Sequence, residues 1–151
     1  MAATIIRPPR PLLVWNASAS SPMGLYRVTR ARGVRAGDMA IAWAPAVARR
    51  LAAQRHYLPA NVPLVKRVAA SGGDRVCAAG EVVFVNGRFL ALRRLSDGAG
   101  RPMPWWNGCR QLEDGELFLL ASGSADSFDG RYFGITGPQD VVGRARLLWE
   151  L

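Results

Sequence analysis

The chain contains one lysine, Lys66, while its other 19 basic residues are all arginine. A guanidinium stays protonated, whereas a buried lysine amine can lose its proton and act as a base. Lys66 lies in the apolar segment VPLVKRVAA (62–70), which favours burial. The alternative is a surface charge left over in an arginine-rich sequence. A catalytic role therefore requires a nucleophile for the amine to serve.

A serine is the nucleophile that suits this lysine, because a neutral amine can take the hydroxyl proton. The single histidine, His56, lies at the end of a predicted helix, which favours a surface role over a place in a Ser-His-Asp triad. Serines are concentrated in WNASASSPMGLYRV (15–28) and ASGSADSFDGRYFG (121–134). Taken alone, the first segment is interpreted as an ordinary serine-rich turn and the second as an ordinary polar, glycine-rich loop.

The composition narrows the class of protein. A chain of 151 residues that is 50% hydrophobic predicts one folded domain, over residues 1–151. A net charge of +9 suits nucleic acid or an anionic membrane. The densest basic stretch, RVTRARGVR (27–35), lacks the interleaved aromatics of a single-strand binder. We interpret it as a solvated strand and turn, and predict no nucleic-acid partner.

Two cysteines, Cys77 and Cys109, and one histidine are too few for a zinc site of usual spacing, so we predict no metal. By composition the cysteines are equally two buried thiols in a cytosolic protein or one disulfide in an exported one.

Alternating and short apolar runs predict a mainly β fold, a small folded sheet or barrel with one inserted helix. Asn86-Gly87, between alternating apolar residues, predicts a hairpin turn. Alanine, leucine and arginine at helical spacing predict a helix over 46–58, bounded by Pro45 and Pro59. The predicted strands lie in 12–18, 24–30, 38–44, 62–70, 75–94, 116–122 and 140–150.

Three ordered segments resemble the bacterial type I signal peptidases, and most closely their conjugal-transfer, TraF-type branch. They read NxSxSxPxGLY from Asn16, KRVxxxxGD from Lys66 and SxDxRYFG from Ser127. The resemblance covers about residues 12 to 149. It implies a signal-peptidase-like fold and a serine peptidase that needs no cofactor.

The resemblance assigns a role to each matching residue. It makes Ser20 the nucleophile and Lys66 its general base. The Ser18 hydroxyl helps the Ser20 backbone N–H to hold the oxyanion, so losing Ser18 should slow the enzyme without abolishing it. Ser127 orients the lysine amine. Ser21 stands where the family often has an apolar residue, but the spacing to the proline favours Ser20 as the attacking serine.

The resemblance also makes Asp129 and Arg131 a structural pair that supports the third segment. An ordinary lysine is neutral in only about 1 in 2,500 molecules at pH 7, so a useful base needs its pKa lowered by roughly 3 units. Burial among apolar neighbours of Lys66 supplies shifts of that size. A carboxylate on the amine would raise the pKa again, so we expect Asp126 and Asp129 to face away.

The implied substrate is an exported precursor protein or a pilin with small side chains before the cut, bound extended as an added strand. The implied location is the periplasmic face of the bacterial inner membrane, with the membrane surface as a partner. An oxidising periplasm favours a Cys77–Cys109 disulfide. We expect the full-length form to carry an N-terminal membrane anchor that these 151 residues do not include. Trp105-Trp106 is interpreted either as an interfacial pair or as core packing.

Three other functions are compatible with the sequence. The same acyl-enzyme could pass to an amine of the substrate, which would make the protein an acyltransferase or peptide cyclase for pilin maturation. A non-catalytic β-domain of a conjugation or secretion complex would tolerate loss of both Ser20 and Lys66. A self-cleaving repressor would use similar chemistry, but no helix-turn-helix is evident. The sequence makes no prediction of the oligomeric state.

Overall fold

The computed structural model describes residues 13–121, 124 and 126–151. Strands account for 41% of the chain and helices for 12%, which confirms the predicted mainly β class. The strands are β1 (Leu13–Asn16), β2 (Gly24–Thr29), β3 (Met39–Ala42), β4 (Leu64–Ala70), β5 (Arg75–Ala79), β6 (Val82–Val85), β7 (Arg88–Leu92), β8 (Gly108–Gln111), β9 (Phe118–Leu120) and β10 (Val141–Glu150). The helices are α1 (Ala46–Gln54) and α2 (Gly130–Phe133), and Pro138–Asp140 forms one 3-10 turn.

The strands form two antiparallel sheets. The larger has the order β1-β2-β10-β3-β4-β9 and the smaller the order β7-β6-β5-β8. Buried and exposed side chains alternate along β2, so one side of the larger sheet is buried. The core on that side contains Tyr26, Val28, Ile41, Val65, Val142 and Ala145. A second core joins the sheets through Ala70, Val76, Ala78, Val83, Leu112 and Phe118. The chain passes between the sheets at residues 71–74, so Lys66 on β4 lies in the larger sheet, near the junction.

The first serine-rich segment is the connection of the β1–β2 hairpin. Asn16 pairs with Gly24, and residues 17–23 form the loop between them. Gly24 has a φ of +150°, and a Cβ there would lie 1.9 Å from the Trp149 carbonyl oxygen of β10. Only glycine allows this close approach of two backbones. The glycine of the segment thus fixes where the loop leaves the sheet.

Helix α1 ends earlier than predicted. His56 adopts a φ of +59°, and the Tyr57 N–H donates to the Ala52 carbonyl, which together form a Schellman cap. This position at the end of a helix is usually a glycine. Because a histidine occupies it here, the sequence did not show where the helix ends. The prediction of a helix to residue 58 is wrong by four residues, and Tyr57 and Leu58 instead follow it as a turn.

The segment 75–94, predicted as strands with a hairpin turn at Asn86-Gly87, forms three short strands. The Asn86-Gly87 turn between β6 and β7 is present, but Gly80, at a φ of +56°, makes a second turn between β5 and β6. Strand β8 and helix α2 were not predicted, because GCRQ has no apolar alternation and α2 has four residues. The other predicted strands are present with slightly different ends; residues 12 and 122 lie outside the described part.

Cys77 on β5 and Cys109 on β8 are directly opposed in the smaller sheet, and their sulfurs are bonded. The structure therefore contains the disulfide that the family resemblance implied. It joins two strands separated by 32 residues in sequence. Within the described residues, no helix is long and apolar enough to cross a membrane.

Candidate active site

Lys66 contacts the hydroxyls of two distant serines. Its Nζ lies 2.5 Å from Ser20 Oγ, in the β1–β2 loop, and 2.7 Å from Ser127 Oγ, in the loop before α2. The protonated amine donates to both oxygens; once neutral, it can instead accept the Ser20 proton. A serine, an amine and a second hydroxyl that fixes the amine are the parts of an activated nucleophile.

Burial changes the acid–base behaviour of Lys66. Only 5% of the residue is exposed, because its side chain leaves β4 on the same face as the buried Leu64 and Val68. Desolvation lowers the pKa of Lys66 to about 8; the nearby Asp129 charge raises it and the Arg131 charge lowers it by smaller amounts. At this pKa about one amine in ten is neutral at pH 7. The neutral base is therefore several hundred-fold more abundant than for an ordinary lysine.

The depressed pKa predicts that Lys66 destabilises the fold near neutral pH. A pKa lowered from 10.5 to about 8 costs about 3 kcal/mol of unfolding free energy below pH 8, and the cost disappears as pH rises to 10.5. We expect the unfolding free energy of Lys66→Met, minus that of the wild type, to be about 3 kcal/mol larger at pH 7 than at pH 11. Urea unfolding of both proteins at the two pH values measures this gain. An unchanged stability difference between pH 7 and pH 11 would contradict the burial-driven shift.

The two neighbouring serines take different positions. Ser18 Oγ lies 2.9 Å from Ser20 Oγ, and the Ser20 N–H points at Ser18 Oγ over a longer 3.4 Å. Ser21 Oγ instead donates to the Val65 carbonyl of β4 at 2.7 Å. The structure thus brings Ser20, and not Ser21, to the lysine. Ser21 connects the serine loop to the strand that carries the amine.

A buried ion pair shapes the loop that carries Ser127. Both Asp129 oxygens accept from the Arg131 guanidinium, at 3.0 and 2.9 Å, and one also accepts from the Ala121 N–H at 2.9 Å. Arg131 donates further to the Ser124 carbonyl at 2.7 Å. Both side chains are almost fully buried. Asp126 pairs with an arginine on the surface, so both carboxylates bond to arginines rather than to the lysine.

The smaller sheet supports the same loop. Arg93, just after β7, donates to the Trp106 and Arg131 carbonyls at 2.6 and 3.3 Å, and its guanidinium stacks 4.3 Å above the Trp105 ring. Trp106 donates to the Gly130 carbonyl at 2.9 Å and packs edge-on against Phe118. Both tryptophans are partly buried in these contacts, which favours the packing interpretation of the pair.

A cleft of about 1000 Å³ opens over the serines and the lysine. One wall comes from the serine loop, and another from β4 and the segment leading to it. Tyr57 and Leu58, in the turn that replaces the end of the predicted helix, complete the wall. The far side contains residues of both the 94–103 loop and the Ser127 loop. A volume of about 1000 Å³ is much larger than a single side chain would fill.

Comparison with known families now identifies the relationship. The family model described as "Signal peptidase, peptidase S26" matches residues 1–150. The chain belongs to this signal peptidase family. The resemblance seen in the three segments is therefore confirmed over nearly the whole chain.

Individual proteins are also similar to this chain. Conjugal transfer protein TraF of Agrobacterium fabrum is 34% identical over 142 residues, which cover 87% of this chain and 78% of that protein. Plasmid transfer protein TraF of Escherichia coli is 43% identical over 74 residues, 47% of this chain and 42% of that protein. The match thus spans less than half of the Escherichia coli relative. A solved signal peptidase I of Enterococcus faecalis aligns at 18% identity and a TM-score of 0.42, over 77% of this chain and 98% of that chain.

The structure brings four of the predicted site residues together. Ser18, Ser20, Lys66 and Ser127 lie in one hydrogen-bonded chain, although 46 and 61 residues separate the lysine from Ser20 and Ser127. Sequence reasoning gave no role to Asn16, which is buried beneath the serine loop. Its place at the head of the first segment was the only signal. The described residues contain no cluster of three histidine, cysteine or carboxylate side chains that could hold a metal.

Proposed function

We propose that the chain is a signal-peptidase-like serine endopeptidase that uses Ser20 as nucleophile and Lys66 as general base. The observation that carries the proposal is the 2.5 Å contact between Ser20 Oγ and a buried amine whose pKa lies at about 8. A surface lysine beside a serine would lack both the desolvation and the second hydroxyl. Ser127 limits the amine to one orientation, as a base acting on one proton requires.

The first half of the reaction forms an ester. Ser20 Oγ attacks the carbonyl carbon of the scissile peptide bond, and Lys66 Nζ takes the hydroxyl proton. The negative oxygen of the tetrahedral intermediate is stabilised by the Ser20 N–H and the Ser18 hydroxyl. The carbon–nitrogen bond then breaks, and the Lys66 ammonium gives its proton to the leaving amine. Ser20 is left as the acyl-enzyme.

The second half regenerates the serine. Lys66, now neutral, takes a proton from water, and the resulting hydroxide oxygen attacks the ester carbon. The carbon–oxygen bond to Ser20 breaks, and the proton on Lys66 returns to Ser20 Oγ. A substrate amine attacking in place of water would give a cyclised or ligated peptide, which is the acyltransferase alternative.

The proposed substrate is an exported precursor, or a pilin processed for conjugation. The family description supports exported precursors, and the transfer-protein relatives support conjugation. The substrate strand would lie between the serine loop and the segment leading into β4, with small side chains entering the cleft. Alanine side chains at positions 17 and 19 leave that side of the cleft with little steric obstruction.

The test compares Ser20→Ala with its matched neighbour Ser21→Ala. The wild-type protein is incubated with an exported precursor carrying Ala-x-Ala before the cut. We expect Ser20→Ala to lose all measurable cleavage, whereas Ser21→Ala loses one hydrogen bond to β4 and retains Ser20-dependent cleavage. Mass spectrometry of the products separates hydrolysis, which adds one water to the fragments, from cyclisation, which does not. A folded Ser20→Ala protein that cleaves normally would exclude Ser20 as the nucleophile.

We also propose that the periplasmic face of the inner membrane is the working location. The outer face of β1, β2 and β10 supports it: Leu13, Trp15 and Trp149 are about half exposed or more, and Trp15 and Trp149 contact edge-on. Arg27 and Arg146 pair in the adjacent row of the same face. Aromatic residues beside arginines suit an anionic bilayer surface.

Vesicle binding tests this face. We expect the double change Trp15→Ser and Trp149→Ser to weaken sedimentation with vesicles of one part anionic to three parts neutral lipid about tenfold. Phe89→Ser, an equally exposed aromatic on β7 of the other sheet, is the control and should bind as the wild type does. The reverse pattern would assign the membrane contact to the smaller sheet.

A further inference from the structure

The Asn16 carboxamide forms four hydrogen bonds, all to the backbone of the serine loop. Its Oδ1 accepts from the Ser18 N–H at 3.1 Å. Its Nδ2 donates to the Ser18, Ser21 and Pro22 carbonyls at 3.1, 3.3 and 3.1 Å. Only 7% of the residue is exposed, although the loop around it faces the cleft. One side chain thus bonds to the backbone near both ends of the serine loop.

An amide is the chemical group that these bonds require. The loop turns one N–H and three carbonyls inwards, and a carboxamide offers an oxygen that accepts and two N–H hydrogens, which the three carbonyls share. The reverse orientation of the amide would place its oxygen against three carbonyl oxygens, so the pattern itself fixes which atom is nitrogen. A carboxylate of the same shape would still accept from the Ser18 N–H, but its second oxygen would face the three carbonyl oxygens and be repelled by them.

These bonds also fix the Ser18–Ala19 peptide unit before Ser20 and the Ser21–Pro22 and Pro22–Met23 units after it. Holding the Ser18 carbonyl inwards turns the N–H of the following residue the opposite way, because the peptide is planar and trans. Holding the Ser21 and Pro22 carbonyls fixes the other end of the loop. Between these points lie the Ser20 N–H and the Ser18 hydroxyl, the two groups proposed to stabilise the oxyanion.

We infer that Asn16 is a positioning residue for the reaction: its carboxamide sets the loop conformation that aims the Ser18 and Ser20 donors at the oxyanion. This inference rests on the proposed function. Asn16 acts on the transition state through the loop and touches neither the lysine nor the reacting carbonyl. Its loss should lower kcat while leaving KM and the pH dependence of Lys66 nearly unchanged.

The first experiment measures kcat, KM and the pH profile for Asn16→Ala, Asn16→Asp and the control Asn86→Ala. Asn86 makes comparable bonds in the β6–β7 turn, accepting from Arg75 N–H and donating to Asp74, so its loss also destabilises a turn. We expect Asn16→Ala to lower kcat about 100-fold, with KM within about threefold and an unchanged pH midpoint. The kcat of Asn16→Asp should fall at least as far, and Asn86→Ala should cleave as the wild type does.

The second experiment is a double-mutant cycle with Ser18→Ala. If Asn16 works by placing the Ser18 and Ser20 donors, the combined change should lower kcat much less than the product of the two single changes. If Asn16 only stabilised the fold, the losses of kcat in the two single variants would multiply in the double variant. Each loss would then also follow the decrease in thermal stability. Multiplying effects, wild-type kcat in folded Asn16→Asp, or a shifted pH midpoint would each overturn the inference while Ser20-dependent cleavage stands. A wild-type protein without Ser20-dependent cleavage would overturn the proposed function, and the inference with it.

Discussion

Lys66→Arg is expected to lower kcat by about 10⁴-fold or more, although it keeps the positive charge and the hydrogen-bonding capacity. The guanidinium cannot lose its proton near neutral pH, so Ser20 would have no acceptor for its hydroxyl proton. The change also places a larger, permanently charged group where only 5% of the lysine is exposed. Cleavage of the Ala-x-Ala precursor, measured as single turnovers, gives the loss directly.

The wild-type pH profile supplies the matching measurement. Because Lys66 acts as a neutral base with a pKa of about 8, kcat should rise with pH and level off above a midpoint near 8. Below the midpoint the rate should fall tenfold for each pH unit, since the neutral fraction does. Arg67→Lys, next to Lys66 on β4 and with its side chain exposed, is the matched control and should leave both rate and midpoint unchanged. Full activity in folded Lys66→Arg would exclude the amine as base.

The extent to which the sequence predicts this site depends on which interactions are local. Lys66, Ser20 and Ser127 were found because each stands in a segment whose order and spacing match a known family. The strand that carries Lys66 was found because its apolar run is typical of a buried strand. The lowered pKa followed in direction from those apolar neighbours.

The support around the site was harder to predict, because it consists of side chains that bond to the backbone of distant or short segments. Arg93 reaches the Arg131 carbonyl 38 residues away, and nothing in its own segment shows this contact. Asn16 bonds to a loop of irregular conformation, for which the sequence has no periodic pattern. Tyr57 lines the cleft because the helix ends at Gln54 and the chain turns at His56, an end that no glycine marks in the sequence.

Asp129→Ala is expected to lower the unfolding free energy by about 3 to 5 kcal/mol, the largest effect on stability that we predict. It would leave the Arg131 guanidinium buried without its carboxylate and would remove the acceptor of the Ala121 N–H. The matched control is Asp126→Ala in the same loop, whose carboxylate is 72% exposed in its pair with Arg94 and should cost about 1 kcal/mol or less. Urea unfolding at pH 7 measures both.

A second variant separates the unfolding free energy lost by leaving one charge unpaired from the net contribution of the ion pair to stability. Replacing both partners with apolar residues, as Asp129→Leu with Arg131→Met, removes the unpaired charge and should recover part of the lost stability. It should not recover cleavage, because the bonds from Arg131 to the Ser124 carbonyl and from the Ala121 N–H to Asp129 hold the loop that presents Ser127 to the amine. If Asp129→Ala cost no more than Asp126→Ala, the buried pair would not stabilise this loop. Stability without activity in the double variant would mean that the ion pair serves to place one hydroxyl beside Lys66.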